Sequence, residues 1–264
     1  MTADSPMQRY FIYFAYDGLR YHGWQQQPNA PSVQQTLQQA LSTLLRQHVE
    51  VVGAGRTDAG VHARQMVAHF DVPEELDASQ LVYRLNRLLP TDISIADVLP
   101  VANDMHARFS ARSRTYHYYL HTQKSPFLHR YSCYLTYPLD FDLMNQAAAY
   151  LLTVSDFAAF CKSHTDVKTT LCHVTEAQWV QDSPNEWHFV ITANRFLRNM
   201  VRAVVGTLID VGRGRITYGD FVHIVSTQKR TEAGESMPAH ALFLEKIEYL
   251  SNSQSWVQDV ECRV

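Results

Sequence analysis

The strongest constraint on this chain is a change in the period of its apolar residues, from two to about 3.6 and back, in the first half and again, varied, in the second. Tyr10, Ile12 and Phe14 alternate within residues 8–15, which predicts a strand. Ser32 followed by Gln35 is a capping-box pattern. Leu37, Leu41, Leu44 and Leu45 then form a helical stripe. Val51-Val52 reads as a short strand and residues 65–72 as a longer one. Residues 79–89 read as a helix stopped by Pro90, and residues 93–98 as a closing strand. The second half varies the theme. It has strands at 112–121 and 131–135, a helix at 142–152, and strands at 172–180 and 187–193 turning around Asp182-Ser183-Pro184. Helices at 196–211 and 218–226 and a last strand from Leu242 follow.

This order predicts an α+β chain of two ferredoxin-like (RNP-like) units, residues 8–105 and 106–250, with fused antiparallel or mixed sheets and a central active-site cleft. Its 264 residues suffice for one large domain or two modest ones, and 46% are hydrophobic. No apolar run is long enough to span a bilayer, so no membrane partner is expected. Met1-Thr2-Ala3-Asp4 does not read as the start of a signal peptide. Cys133, Cys161, Cys172 and Cys262 form no C-x-x-C pair, which argues against a zinc site or disulfide framework and suits a reducing cytoplasm.

The net charge of −3 does not advertise nucleic-acid binding; its distribution says more, although a chain this long has basic clusters by chance. Between Met105 and Arg130 lie Arg108, Arg112, Arg114, Lys124 and Arg130 with no acid. Between Arg195 and Arg215 lie five arginines and the single acid Asp210.

Three segments carry candidate chemistry. Gly53-Ala54-Gly55-Arg56-Thr57-Asp58-Ala59-Gly60-Val61-His62-Ala63 allows tight turns and close ligand approach. It is neither a P-loop nor a dinucleotide fingerprint. Read alone, Asp58 is a turn-capping residue. At helical spacing, Arg195, Arg198, Asn199, Arg202 and Gly206 share a face opposite Leu197, Val201, Val204 and Leu208. A glycine on that polar face suggests close approach of backbone or ligand. On a strand, Arg114, Tyr116 and Tyr118 share a face, a combination suited to phosphate contact and base stacking.

These segments resemble the tRNA pseudouridine synthase A (TruA) family. The 53–63 loop is similar to its G-R-T-D-x-G-V-H signature. Tyr16-Asp17-Gly18-Leu19-Arg20-Tyr21-His22-Gly23-Trp24-Gln25 resembles its opening motif. Phe109-Ser110-Ala111-Arg112-Ser113-Arg114-Thr115-Tyr116 resembles its central motif, and Phe196-Leu197-Arg198-Asn199-Met200-Val201-Arg202 with Val205-Gly206-Thr207 its late helix. Two places depart from the pattern: Ala241 stands where the family usually has glycine, and Lys168-Thr169-Thr170 where it often has arginine.

The resemblance implies a homodimeric isomerase that converts uridine to pseudouridine in the tRNA anticodon stem-loop, at tRNA positions 38 to 40, with no cofactor and no metal. It places the catalytic carboxylate on Asp58 and its cationic partner on Arg202. It places the uracil-stacking ring on Tyr116, and on Arg56 the group that fills the space left by a flipped base. Arg114 and Leu242 are implied to contact substrate. Two other classes compete. A non-catalytic RNA-binding module would not need Asp58, because an acid facing phosphate weakens binding. A metal hydrolase built on His117 and His121 would need a distant third ligand, since i,i+4 residues lie far apart along a strand.

Overall fold

The computed structural model describes residues 7–162 and 168–250; Cys262 and the segment Met1-Thr2-Ala3-Asp4 lie outside the described residues. The chain is α+β and divides into two compact units. One runs to Arg112 and resumes at Lys246, and the other covers Ser113–Glu245.

The first unit comprises β1 (Gln8–Tyr16), α1 (Val33–Leu45), β2 (Val52–Gly53), β3 (His62–Val72), α2 (Ala78–Leu88) and β4 (Ile93–Val101). Its strands lie in the order β4-β1-β3-β2, every neighbouring pair antiparallel. In β1 the alternating Tyr10, Ile12 and Phe14 are buried, opposite Phe70, Ala68 and Met66 of β3. Ser32 caps α1 by accepting from the Gln35 N–H (3.3 Å), and Leu37 and Leu41 of its stripe are buried. Asp77 caps α2 in the same way through Gln80 (3.0 Å), and α2 ends before Pro90 because the residue preceding a proline is pushed out of helical geometry.

The 102–110 segment is tied firmly to this unit. Buried His69 accepts the Ala107 N–H at Nδ1 (3.2 Å), and the Tyr249 hydroxyl donates to the Ala107 carbonyl (2.7 Å). Arg9 donates to the Met105 carbonyl (3.0 Å) while pairing with Asp71 (2.7 Å). Burial, reinforced by the Arg9 charge, pushes His69 down to about 4, so the ring is neutral at pH 7 and its Nδ1 is able to accept.

The second unit comprises β5 (Ala111–His121), β6 (Cys133–Tyr134), α3 (Phe141–Tyr150), β7 (Val174–Ser183), β8 (Glu186–Ala193), α4 (Met200–Gly212), α5 (Tyr218–Thr227) and the first half of β9 (Leu242–Tyr249). Its main strands lie in the order β9-β5-β8-β7. β5, β8 and β7 pair antiparallel, and the short β6 pairs parallel to β5. The β7–β8 turn closes with Ser183 opposite Glu186. All of α4 except Arg202 and Asp210 is buried, so this helix is covered on every side rather than amphipathic.

The start of α4 corrects the sequence reading. The helix begins at Met200, not Phe196, because Asn199 takes a left-handed backbone (φ 68°) and the Met200 N–H closes a turn on the Leu197 carbonyl (3.1 Å). Asparagine tolerates that geometry better than most residues. Arg195, Arg198 and Asn199 therefore precede the helix, and the five-residue polar face reduces to Arg202 and Gly206.

Candidate active site

The sequence-predicted site residues fall into two groups, one in each unit. In the first, Arg56 and Asp58 share the loop between β2 and β3, with Arg56 exposed and Asp58 half-buried. The Asp58 carbonyl accepts from the Val61 N–H (3.1 Å), closing a turn through Gly60, whose φ is +78°. The loop is braced by the segment that follows β1. Trp24 N–H donates to the Thr57 carbonyl and Gly60 N–H to the Tyr21 carbonyl (3.3 Å each). The Tyr16 and Thr57 hydroxyls lie 2.9 Å apart, and the Gly18 N–H donates to Nδ1 of buried His62 (3.1 Å).

Contact this close excludes side chains. A Cβ on Gly18 would lie 2.0 Å from the Val61 carbonyl oxygen, and one on Gly23 (φ +92°) would lie 2.4 Å from that of Thr57. The opening motif is thus the backing of the Asp58 loop. Spacing alone could not reveal this, because 33 to 44 residues separate the partners.

In the second unit, β5 carries Arg114, Tyr116 and Tyr118 on one face. That face is open at Arg114 and Tyr116, which are half-buried, and closed at Tyr118, which is fully buried. Burial pushes the Tyr118 phenol well above its usual range, so Tyr118 belongs to the core. Tyr116 stands edge-on to Phe196, with ring centroids 5.0 Å apart and planes at 82°. Phe196 therefore braces the tyrosine instead of starting a helix. Arg114 donates to the Asn194 carbonyl (2.8 Å).

Arg202, in the first turn of α4, donates through Nε to the Met237 carbonyl (2.5 Å), and the Met237 N–H donates back to the Arg202 carbonyl (3.1 Å). Met237 ends a strap, residues 233–237, that lies against α4. A Cβ on Gly206 would be 1.9 Å from the Glu235 carbonyl oxygen, and one on Gly234 would be 2.8 Å from the Thr207 nitrogen. The buried Thr207 hydroxyl accepts from the Gly234 N–H (2.9 Å) and donates to the Ala203 carbonyl (2.8 Å). The glycine on the polar face thus marks backbone approach. The strap itself was missed from sequence: Gly206 signalled a close approach but not its partner, and Gly234 lies in a polar run with no period of its own.

Leu242 is buried at the start of β9. Ala241 before it is fully buried in a 3-10 turn. It is absent from the positive-φ residues, so its backbone has no need of glycine. Lys168 is exposed, and the Thr169 hydroxyl accepts from the Leu171 N–H (3.1 Å). His117 stacks on His188 (4.7 Å), whereas His121 pairs with Ser132 (2.8 Å). Among the described residues no helix is long and apolar enough to cross a membrane, and no group of three or more His, Cys, Asp or Glu could hold a metal.

The sequence matches the tRNA pseudouridine synthase family over residues 12–110 and 147–250. It is 57% identical over 249 residues to tRNA pseudouridine synthase A of Porphyromonas gingivalis, covering 93% of this chain and 99% of that protein. It is 55% identical over 244 residues to the protein of that name from Bacteroides fragilis (92% and 97% covered). The identity to that of Caldicellulosiruptor bescii is 38% over 246 residues (92% and 100% covered).

Proposed function

The chain belongs to the tRNA pseudouridine synthase A family and is an isomerase of tRNA uridine, and we propose that it acts on positions 38 to 40 of the anticodon stem-loop with Asp58 as its catalytic carboxylate. The observation that carries the residue assignment is the bracing of the 53–63 loop, which holds one acid in a turn backed by two glycine contacts. Pseudouridine formation breaks the bond from uracil N1 to the ribose, turns the ring and joins its C5 to the same carbon. The C5 proton leaves and N1 gains one, so atoms and electrons balance without a cofactor. Whether Asp58 attacks the anomeric carbon, adds to the ring or takes a ribose proton, it starts ionised.

In this reading Arg202 is the counter-charge of Asp58, its guanidinium oriented by the Met237 carbonyl. Tyr116, braced by Phe196, stacks on the uracil. Exposed Arg56 enters the stem when the uridine flips out, offsetting part of an unstacking cost of about a few kcal/mol. Arg114 contacts the substrate backbone, and Leu242 packs beside the base. The first unit runs β-α-β-β-α-β, and the second repeats that order with β6 and α5 inserted; with the corresponding order of their main strands this supports two ferredoxin-like halves in residues 8–105 and 106–250. A homodimer working in the cytoplasm completes the proposal.

The test is chemical mapping of pseudouridine in an unmodified tRNA transcript after incubation with the protein. New pseudouridine at positions 38 to 40 is expected; modification confined to other positions would refute the site preference. Two further outcomes follow. Tyr116→Phe keeps the ring and retains most activity, whereas Tyr116→Leu loses about ten-fold or more in kcat/KM, the scale of one base–aromatic stack. The logarithm of the tRNA affinity falls with the logarithm of salt concentration, with a slope of about −0.9 per duplex phosphate contacted. A flat salt response in filter binding would count against a phosphate-lined groove.

A further inference from the structure

Phe109 is a side chain whose placement neither the core nor the proposed chemistry explains. It is 76% exposed, yet its loop is held by a set of internal hydrogen bonds. His106 and Ser110 close the loop reciprocally: Ser110 N–H donates to the His106 carbonyl (2.9 Å) and His106 N–H to the Ser110 hydroxyl (2.9 Å). The His106 Nδ1 accepts from the Arg108 and Phe109 N–H groups (3.1 and 3.3 Å). The three ties to His69, Tyr249 and Arg9 anchor its base. The result is a rigid turn that presents a phenyl ring to solvent. His106 supports that ring from within (centroids 4.4 Å apart), and the Arg108 guanidinium lies over it at 5.6 Å.

An ordered, exposed aromatic with a cation over its ring is the arrangement by which proteins hold an unstacked base. Arg108 and Arg112 are both exposed, and from Met105 to Arg130 there is no acid, so the local charge suits phosphate rather than an acidic or purely apolar protein surface. We propose that Phe109 is a second base-stacking position, separate from Tyr116, that receives an unpaired nucleotide of the tRNA while Arg108 meets its phosphate. The inference rests on tRNA being the substrate. Phe127 is also exposed; its turn is held by local bonds, from its own N–H to the Ser125 hydroxyl (3.3 Å) and between His129 Nδ1 and the Pro126 carbonyl (2.7 Å). The ring is preformed, so binding pays little to order it.

Phe109→Ala, Phe109→Leu and Phe109→Trp distinguish stacking from other roles, read by filter binding of an unmodified tRNA transcript, by kcat at saturating transcript and by sedimentation without RNA. Phe109→Ala and Phe109→Leu are expected to weaken binding about ten-fold with kcat unchanged, and Phe109→Trp to restore wild-type binding. Wild-type affinity in Phe109→Ala would overturn the proposal. So would a leucine variant that binds like wild type, because it would make the contact merely apolar. A lighter sedimenting species in Phe109→Ala would assign the ring to a contact between protein copies instead. If the wild-type protein failed to bind the transcript, the tRNA reading would fall and this inference with it; wild-type binding alongside intact Phe109→Ala binding would remove only the inference.

Discussion

Asp58→Asn is expected to leave the protein folded and bound to tRNA while lowering turnover on the order of 10⁴-fold or more, the scale seen when a group that acts chemically is removed. The substitution is nearly isosteric. The Asp58 backbone carbonyl accepts from Val61, and asparagine keeps that bond. The loop's bracing comes from Trp24, Tyr21 and Tyr16 and is likewise untouched. Unfolding midpoint and tRNA affinity should therefore stay near wild type, and removing an anion should not weaken contact with phosphate. A large fall in the unfolding midpoint would instead assign Asp58 to the turn itself.

Gly206→Ala is expected to destabilise the protein by about 1–3 kcal/mol, read as a lower denaturation midpoint, and to lower turnover as well. The sign is informative, because alanine in a helix interior is ordinarily better than glycine by about 1 kcal/mol. Here the added methyl would sit 1.9 Å from the Glu235 carbonyl oxygen, in a backbone strap that cannot give way like a flexible side chain. Displacing the strap moves the Met237 carbonyl away from the Arg202 Nε, so the guanidinium loses its fixed orientation. Gly219 in α5 is the contrasting case. A Cβ there meets nothing closer than the Thr217 hydroxyl at 3.7 Å, so Gly219→Ala gains up to about 1 kcal/mol. A stabilised Gly206→Ala protein would contradict the account of the strap.

The parts of the fold that local chemistry decides were legible in the sequence. The alternation through Tyr10, Ile12 and Phe14, the Ser32 cap and the stop before Pro90 each act within a few residues, and the structure shows all three. The turn around Asp182-Ser183-Pro184 was equally legible. The start of α4 was not, because the 3.6 period runs on through Phe196 and Leu197 into a turn broken by one left-handed asparagine. Phe196 is held there by Tyr116, some 80 residues earlier in the chain. For the same reason the basic stripe from Arg195 to Arg202 was over-read as a helical face. In the candidate site, the 53–63 loop announced itself by its glycines and charges. What supports it did not: the approach of Gly18 and Gly23 is a pair of tertiary contacts with no local period. Gly206 did signal a close approach to α4, but not that residues 233–237 make it.

The central claim is that this chain isomerises tRNA uridine through Asp58. The most direct measurement is release of tritium from a tRNA transcript labelled at C5 of uracil, compared between wild type and Asp58→Asn with no cofactor supplied. The account predicts one tritium released per pseudouridine formed by wild type and essentially none by the variant. No release by wild type, or release by Asp58→Asn at the wild-type rate, would contradict it.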